Sequence, residues 1–287
     1  MQVRRILVPT DFSTPSVVAL NHAVTLARKI RASLTLLHVV ELPHTVTLPE
    51  TIRLETERSQ RMLSAMIAPE DRAHFDVRGL VRDGDVRDEI LSAVRDEGAD
   101  LLVMRTHSRG VIGRLLIGSV TQSVLKKIDI PILTVSHVAK LPSFNRILFA
   151  TDFSGLSNEA SSYAMQLAQS VDATLIAVHA VDVGVDGGAE AAVYLTEDRV
   201  EDARAKLDAF NEEAARNHIE TETMILEGAA SDTILTAAER TSADVIMMTI
   251  RTPFGPVSET IIREAHVPVL GIPAGAIIGK EREPHAA

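Results

Sequence analysis

The chain repeats itself. Arg5-Ile6-Leu7-Val8-Pro9-Thr10-Asp11-Phe12-Ser13 recurs as Arg146-Ile147-Leu148-Phe149-Ala150-Thr151-Asp152-Phe153-Ser154. At the same offset Ala19 matches Ala160, Ala23 matches Ala164, Leu26-Ala27 matches Leu167-Ala168 and His38 matches His179. Further on, Gly84 aligns with Gly228, Ile90-Leu91 with Ile234-Leu235 and Ala99-Asp100 with Ala243-Asp244. A unit of nearly half of 287 residues is too long for a solenoid repeat and has the size of a domain. The chain therefore reads as a duplication, divided near the polar, Pro-containing stretch Ala139-Lys140-Leu141-Pro142-Ser143 into residues 1–139 and 140–287.

Within each half, short aliphatic runs alternate with helical patterns. In the first half the expected strands are Ile6–Val8, Ser33–Val40, Asp76–Val81, Leu101–Met104 and Pro131–Val135. The helices between them are expected over Arg53–Ile67, Val86–Glu97 and Ser119–Lys127, with one more after Ser13 or Thr14. There a hydroxyl can cap the helix and Pro15 loses nothing by lacking an N–H. Val17, Leu20, Val24 and Ala27 then recur at helical spacing. The second half repeats the order, and its long helix carries Val200, Ala203, Leu207, Phe210 and Ala214 at the same kind of spacing. Near-continuous aliphatic strands alternating with helices imply a parallel sheet covered on both faces. The fold class is α/β: two tandem Rossmann-like domains, each a five-stranded parallel sheet flanked by helices. With no Trp and two Tyr, the core must be built from aliphatic side chains.

Right-handed crossovers bring the loops after the strands to one edge of such a sheet. Three of those loops carry chemistry in the first half. Pro9-Thr10-Asp11 follows the first strand and Val39-Val40 ends the second. The segment from Met104 and Arg105 to Gly118-Ser119 joins the fourth strand to the next helix. Gly118-Ser119 stands where that helix starts, and free N–H groups with a positive dipole end favour a phosphate there. The net charge is -10, yet Arg105, Arg109 and Arg114 lie in this one loop. That local reversal of sign is what a phosphate site needs. In the second half Gly255 aligns with Gly118, Pro256 replaces Ser119 and removes a hydroxyl and an N–H. Gly118 lies 17 positions after Leu101, but Gly255 lies only 10 after Val245. This half reads as a degenerate copy with a structural or regulatory role.

These residues resemble the universal stress protein family: Pro9-Thr10-Asp11-Phe12-Ser13 after the first strand, Leu36-Leu37-His38-Val39 in the second, and Gly118-Ser119-Val120 before a Pro131-containing last strand. The resemblance covers both halves essentially end to end. In ATP-binding members the third loop reads Gly, two residues, Gly, nine residues, then Gly and Ser or Thr. The matching positions here are Arg105, Ser108, Gly118 and Ser119, so the last Gly-Ser agrees and the first two glycines do not. The resemblance implies ATP, with or without Mg²⁺, as ligand. Adenine and ribose would lie near Pro9, Thr10, Asp11 and Val39, and the phosphates on Ser108, Gly118, Ser119 and Val120. Met104, Arg105, His107 and Thr121 complete the candidate set. A glycine at position 105 would permit close backbone approach, so Arg105 either blocks the pocket or lines it and pairs with a phosphate.

The implied function is a stress-response sensor or regulator that binds ATP in its first domain, with hydrolysis at most slow, since no general base is aimed at a phosphate. The alternative is a tandem scaffold whose sites have decayed and whose role is interaction with other proteins. An adenylating enzyme is disfavoured, because neither a Ser-Gly-Gly loop after the first strand nor a His-x-Gly-His motif occurs. Asp11 and Asp152 can brace a strand-to-helix turn, and His38 and His179 can be satisfied histidines near the core. His107 can shape its loop.

Other classes are excluded or expected on simpler grounds. The acidic charge argues against generic nucleic-acid binding. The absence of cysteine removes thiol chemistry and Cys-ligated zinc, and no histidine pair has metal-ligand spacing. No apolar run suits a signal peptide or membrane span, so a cytoplasmic location is expected. The two halves are expected to pack as an intramolecular pseudo-dimer through Pro131–Val135 and Pro268–Ile272, the mode that the resemblance implies, and two chains can pair further as a homodimer.

Overall fold

The computed structural model describes residues 3–41, 49–109, 115–136, 139–181, 189–251 and 254–278. The first half runs β1 (Arg5–Pro9), α1 (Thr14–Ile30), β2 (Ser33–Val40), α2 (Pro49–Ala65), α3 (Pro69–Arg72), β3 (Val77–Asp83), α4 (Val86–Asp96) and β4 (Leu101–Arg105). It continues with β5 (His107–Arg109), β6 (Leu115–Ile117), α5 (Ser119–Leu125) and β7 (Ile132–Val135). The second half follows as β8 (Arg146–Ala150), α6 (Gly155–Val171), β9 (Thr174–Val181), α7 (Ala189–Arg216) and β10 (Thr221–Glu227). It ends with α8 (Ala230–Arg240), β11 (Val245–Ile250), α9 (Pro256–Glu264), β12 (Val269–Pro273) and α10 (Ala274–Ile278).

Each half contributes five parallel strands, and the ten join in one sheet of order β10-β9-β8-β11-β12-β7-β4-β1-β2-β3. The strands are apolar on both sides because both faces are covered. Ile6 and Val8 face one core with α1 and Leu63 of α2, while Leu7 faces the other with Ile90 and Val94 of α4. The alternation of a pleated strand thus feeds two layers at once.

Helix ends follow local rules. The Ser13 side chain accepts from Ser16 N and caps α1 with Pro15 in the first turn, and Ser154 caps α6 in the same way from Ser157 N. Asp85 caps α4 through Asp88 N at 3.0 Å. Helix α2 starts at Pro49, four residues before the expected Arg53, because proline's fixed φ suits the first turn even where no apolar stripe has begun. The connection after β4, expected as a plain loop, contains the antiparallel ribbon β5–β6, with Ser108 opposite Leu116.

The halves meet through their last strands. β7 and β12 pair antiparallel, with Leu133 opposite Leu270, and the buried Thr134 hydroxyl donates to Val269 O at 3.0 Å. Above this seam α1 touches α6. Lys29 Nζ donates to Val171 O at 3.1 Å and to Asn145 Oδ1 at 2.8 Å, a cation on the C-terminal carbonyls of the facing helix. The seam places the two β1-like loops at separate points on the sheet rather than in one shared cleft.

Candidate functional site

In each half the strand order reverses beside the first strand: β1 lies between β2 and β4, and β8 between β9 and β11. Chains leaving such neighbours depart to opposite faces and open a crevice at the strand C-termini. The first crevice holds a cleft of about 520 Å³, a size suited to a small-molecule ligand. Pro9, Thr10, Asp11, Val39, Met104, Arg105, Gly118, Ser119, Val120 and Thr121 all line it. The backbone of His107 and Ser108 lies in β5, while their side chains, that of Arg109 and residues 110–114 lie outside the described residues.

The turn after β1 is fixed by side chains. Thr10 N donates to Leu37 O at 2.8 Å, and Thr10 Oγ1 accepts from Phe12 N at 3.0 Å. Phe12 takes the left-handed region, φ 61°, and its ring packs on His38 at 4.3 Å. His38 Nδ1 lies 2.9 Å from Thr10 O, so this histidine ties β2 to the turn. Asp11 Oδ1 receives Ser13 N at 3.1 Å and Ser13 Oγ at 2.5 Å. This is the turn-bracing role, yet it occupies one oxygen. The other, Oδ2, receives Arg105 Nη2 at 3.1 Å. Partial burial pushes the Asp11 carboxyl up, but the Ser13 bonds and the Arg105 charge outweigh it and hold the group below its ordinary value.

Arg105 lines the cleft with its guanidinium tied to Asp11. It lies across the gap from β4 to the β1 turn, one third exposed. Its carbonyl accepts from Thr121 Oγ1 at 2.8 Å, which employs that hydroxyl in joining α5 to β4. Gly118 N donates to Thr106 O at 2.7 Å, closing the base of the ribbon. Ser119 and Val120 follow as the first residues of α5, and first-turn amides have no helical carbonyl behind them.

Val86, Ile90 and Glu41 also line the cleft, and the reading of the loops missed them. Val86 and Ile90 come from the start of α4, which packs against β2 and α5. A signal was present, because Ile90-Leu91 is one of the segments that recur in the second half.

The second crevice repeats the turn. His179 Nδ1 lies 2.8 Å from Thr151 O, Phe153 has φ 52°, and Asp152 Oδ1 accepts from Ser154 N at 2.9 Å and Ser157 Oγ at 2.6 Å. Arg251 Nη2 reaches Asp152 Oδ2 at 3.1 Å. A larger cavity, about 1170 Å³, lies elsewhere, between Lys140–Pro142 and α8 and α9 at the strand N-termini. It lacks both switch-point carboxylates and their arginines. Among the described residues no group of acidic or histidine side chains is arranged to hold a metal, and no helix is long and apolar enough to cross a membrane.

Comparison with known proteins places this arrangement. The model of the universal stress protein family matches residues 2–136 and again 143–273. Universal stress protein MJ0577 of Methanocaldococcus jannaschii is 28% identical over 155 residues, covering 47% of this chain and 95% of its own. Universal stress protein MJ0531 of the same organism is 31% identical over 143 residues, covering 48% and 84%. A crystal structure of a universal stress protein from Archaeoglobus fulgidus shares the fold across 96% of this chain and all of its own, with a TM-score of 0.76 at 24% identity. The chain belongs to the universal stress protein family, as a tandem member with two family domains.

Proposed function

We propose that the first domain binds an adenine nucleotide, ATP with or without Mg²⁺, and that the protein acts in the cytoplasm as a stress-response sensor or regulator rather than as an efficient hydrolase. One observation carries the reading: a cleft of about 520 Å³ is present at the first switch point although Arg105, the residue that departs most from the family's loop, lines it and pairs with Asp11. The magnitudes favour exchange. An ion pair this exposed is worth about 0–1 kcal/mol, whereas a charge-assisted bond to a phosphate is worth roughly 1.5–3 kcal/mol. A polyphosphate can therefore take Arg105 from Asp11 and free that carboxylate for ribose hydroxyls. The apolar floor of Val39, Ile90 and Met104 suits the face of a purine, and the start of α5 at Ser119 and Val120 suits the phosphates.

The same ion pair also supports the competing reading, a nucleotide-independent scaffold in which Arg105 keeps the mouth shut. Calorimetric titration with ATP and Mg²⁺ separates them. Micromolar binding near one site per chain, lost in an Asp11→Ala, Ser119→Ala double variant, supports the nucleotide site. Absence of heat and of a thermal shift at millimolar ATP rejects it in favour of the scaffold.

A further inference from the structure

The connection from β4 to α5 leads into the phosphate side of the first cleft at Gly118, Ser119 and Val120. It contains the ribbon β5–β6, two strands of 3 residues each. A two-stranded ribbon by itself is marginally stable in water and needs a helix or further strands against it. The helix that runs along β6 is α9, which belongs to the second half. Ile117 of β6 packs against the apolar layer that includes Ile261 and Ile262 of α9. Burial along the helices agrees. With Gly255 aligned on Gly118, Glu259 and Arg263 of α9 match Gln122 and Lys126 of α5. Gln122 and Lys126 are exposed, whereas Glu259 and Arg263 are half-buried. Among the described residues the shorter β11–α9 connection offers α5 no ribbon in return.

Hydrogen bonds run the same way. The Ser136 hydroxyl, just past β7, donates at 3.2 Å to the carbonyl of Ala265, the residue that caps α9. Its neighbour Val135 accepts from Thr106 N at 2.9 Å, and Thr106 O accepts from Gly118 N at 2.7 Å. Thr106, Val135, Ser136 and Ala265 are all buried. The amide at the foot of the phosphate side is thus tied through the core to the second half. The base and ribose side is built differently, from the β1 turn, β2 and α4 of the first half.

We propose that the second domain serves the first cleft: α9, through its face at Glu259 and Arg263 and through the Ala265 carbonyl, positions the β5–β6 ribbon and Gly118 for the phosphates of the ligand. Backbone that must be ordered on binding subtracts from affinity, and backbone ordered beforehand does not. The half with the shortened loop then has a task at the other half's site. The inference rests on the nucleotide reading of the first cleft and adds positioning residues that lie outside it.

Calorimetry on the full chain compares ATP and Mg²⁺ with adenosine, which has the base and ribose but no phosphate. Ser136→Ala is expected to weaken ATP binding about fivefold, the worth of one buried hydrogen bond, and a Glu259→Ala, Arg263→Ala double variant to act in the same direction. Adenosine affinity is expected to stay within about twofold in both, because its contacts lie away from α9. Without ligand, hydrogen exchange at the Gly118 amide is expected to quicken in both. Leu207→Ala is the control: it lies in the layer on the other face of the sheet. It is expected to lower the thermal midpoint and leave the ratio of ATP to adenosine affinity unchanged. ATP binding unaltered in the Ser136 and α9 variants, equal losses for both ligands, or a ratio moved as far by Leu207→Ala overturns the proposal and leaves the nucleotide reading standing. A parent chain that binds neither ligand overturns the nucleotide reading. Exchange at Gly118 then decides the positioning by itself, and unchanged rates overturn it.

Discussion

Arg105 of β4 reaches Asp11 of the β1 turn at 3.1 Å, and Arg251 reaches Asp152 at the same distance from a non-equivalent position beyond β11. In both halves a carboxylate braces its own turn with one oxygen and holds an arginine from across the switch point with the other. Both pairs are partly exposed. The first prediction follows from that of Arg105. Arg105→Ala is expected to weaken ATP binding about tenfold, on the order of 1.4 kcal/mol, through loss of a phosphate partner. The effect should shrink at high salt. Calorimetry at two ionic strengths checks this, and tighter ATP binding by the variant would show that Arg105 is a plug.

Acid should loosen both turns. Asp11 and Asp152 are each pushed up by burial and pulled further down by hydrogen bonds and an arginine, so both titrate below the ordinary value in the folded chain. A depressed folded value means stability that is complete above the unfolded pKa of about 3.9 and lost as pH falls below it through the folded value. An Asp11→Asn, Asp152→Asn variant is therefore expected to show a flatter loss of stability below about pH 4 than the parent. Urea unfolding between pH 3 and pH 7, each taken as an approximate bound of that window, measures the difference.

His22 provides a second pH dependence at a higher range. It is buried in α1, with Nδ1 at 2.8 Å from Val18 O and Nε2 at 3.0 Å from Lys140 O of the interdomain stretch. Burial lowers its pKa, and the two carbonyls counter this only in part. The contribution of neutral His22 is thus complete above the unfolded value of about 6.5 and is lost as pH falls below it. His22→Gln, which retains one donor, is expected to flatten the stability profile between about pH 5 and pH 7, read from denaturant midpoints.

Gly98 tests the backbone at the end of α4. It has φ +56°, and a Cβ there would sit 2.9 Å from the Arg5 guanidinium. The guanidinium is the end of a flexible side chain and can step aside, so the conformational cost dominates. Gly98→Ala is expected to destabilise by about 1–2 kcal/mol, lowering the thermal midpoint without altering ligand binding at the opposite strand ends.

The continuous sheet predicts cooperative unfolding. Leu133 faces Leu270 across the β7–β12 seam and is fully buried. Leu133→Ala is expected to cost roughly 2–5 kcal/mol and to lower the midpoint of a single calorimetric transition that covers both halves. Two separated transitions in the parent chain would show that the seam does not couple the domains.

Much of this was legible without coordinates, and the reason is periodicity. Strands buried on both faces leave aliphatic runs, helices leave three- and four-residue spacing, and duplication prints both twice, so Ile6–Val8 and Ile147–Phe149 declared themselves as equivalent first strands. The loops that hold Thr10, Asp11, Gly118 and Ser119 were legible too, because parallel crossovers send every strand C-terminus to one edge. What tertiary structure alone decided is contact between residues distant in the chain. Arg105 and Asp11 are separated by 94 positions, and no local rule says that the guanidinium pairs with that carboxylate. Nor does a sequence register reveal that Arg251 replaces Arg105 from a shifted position, since side-chain reach depends on how the loop leaves the sheet. Val86 and Ile90 enter the cleft only because α4 packs against β2 and α5. The sequence determines which elements form, through interactions a few residues long; packing among distant elements determines which side chains meet.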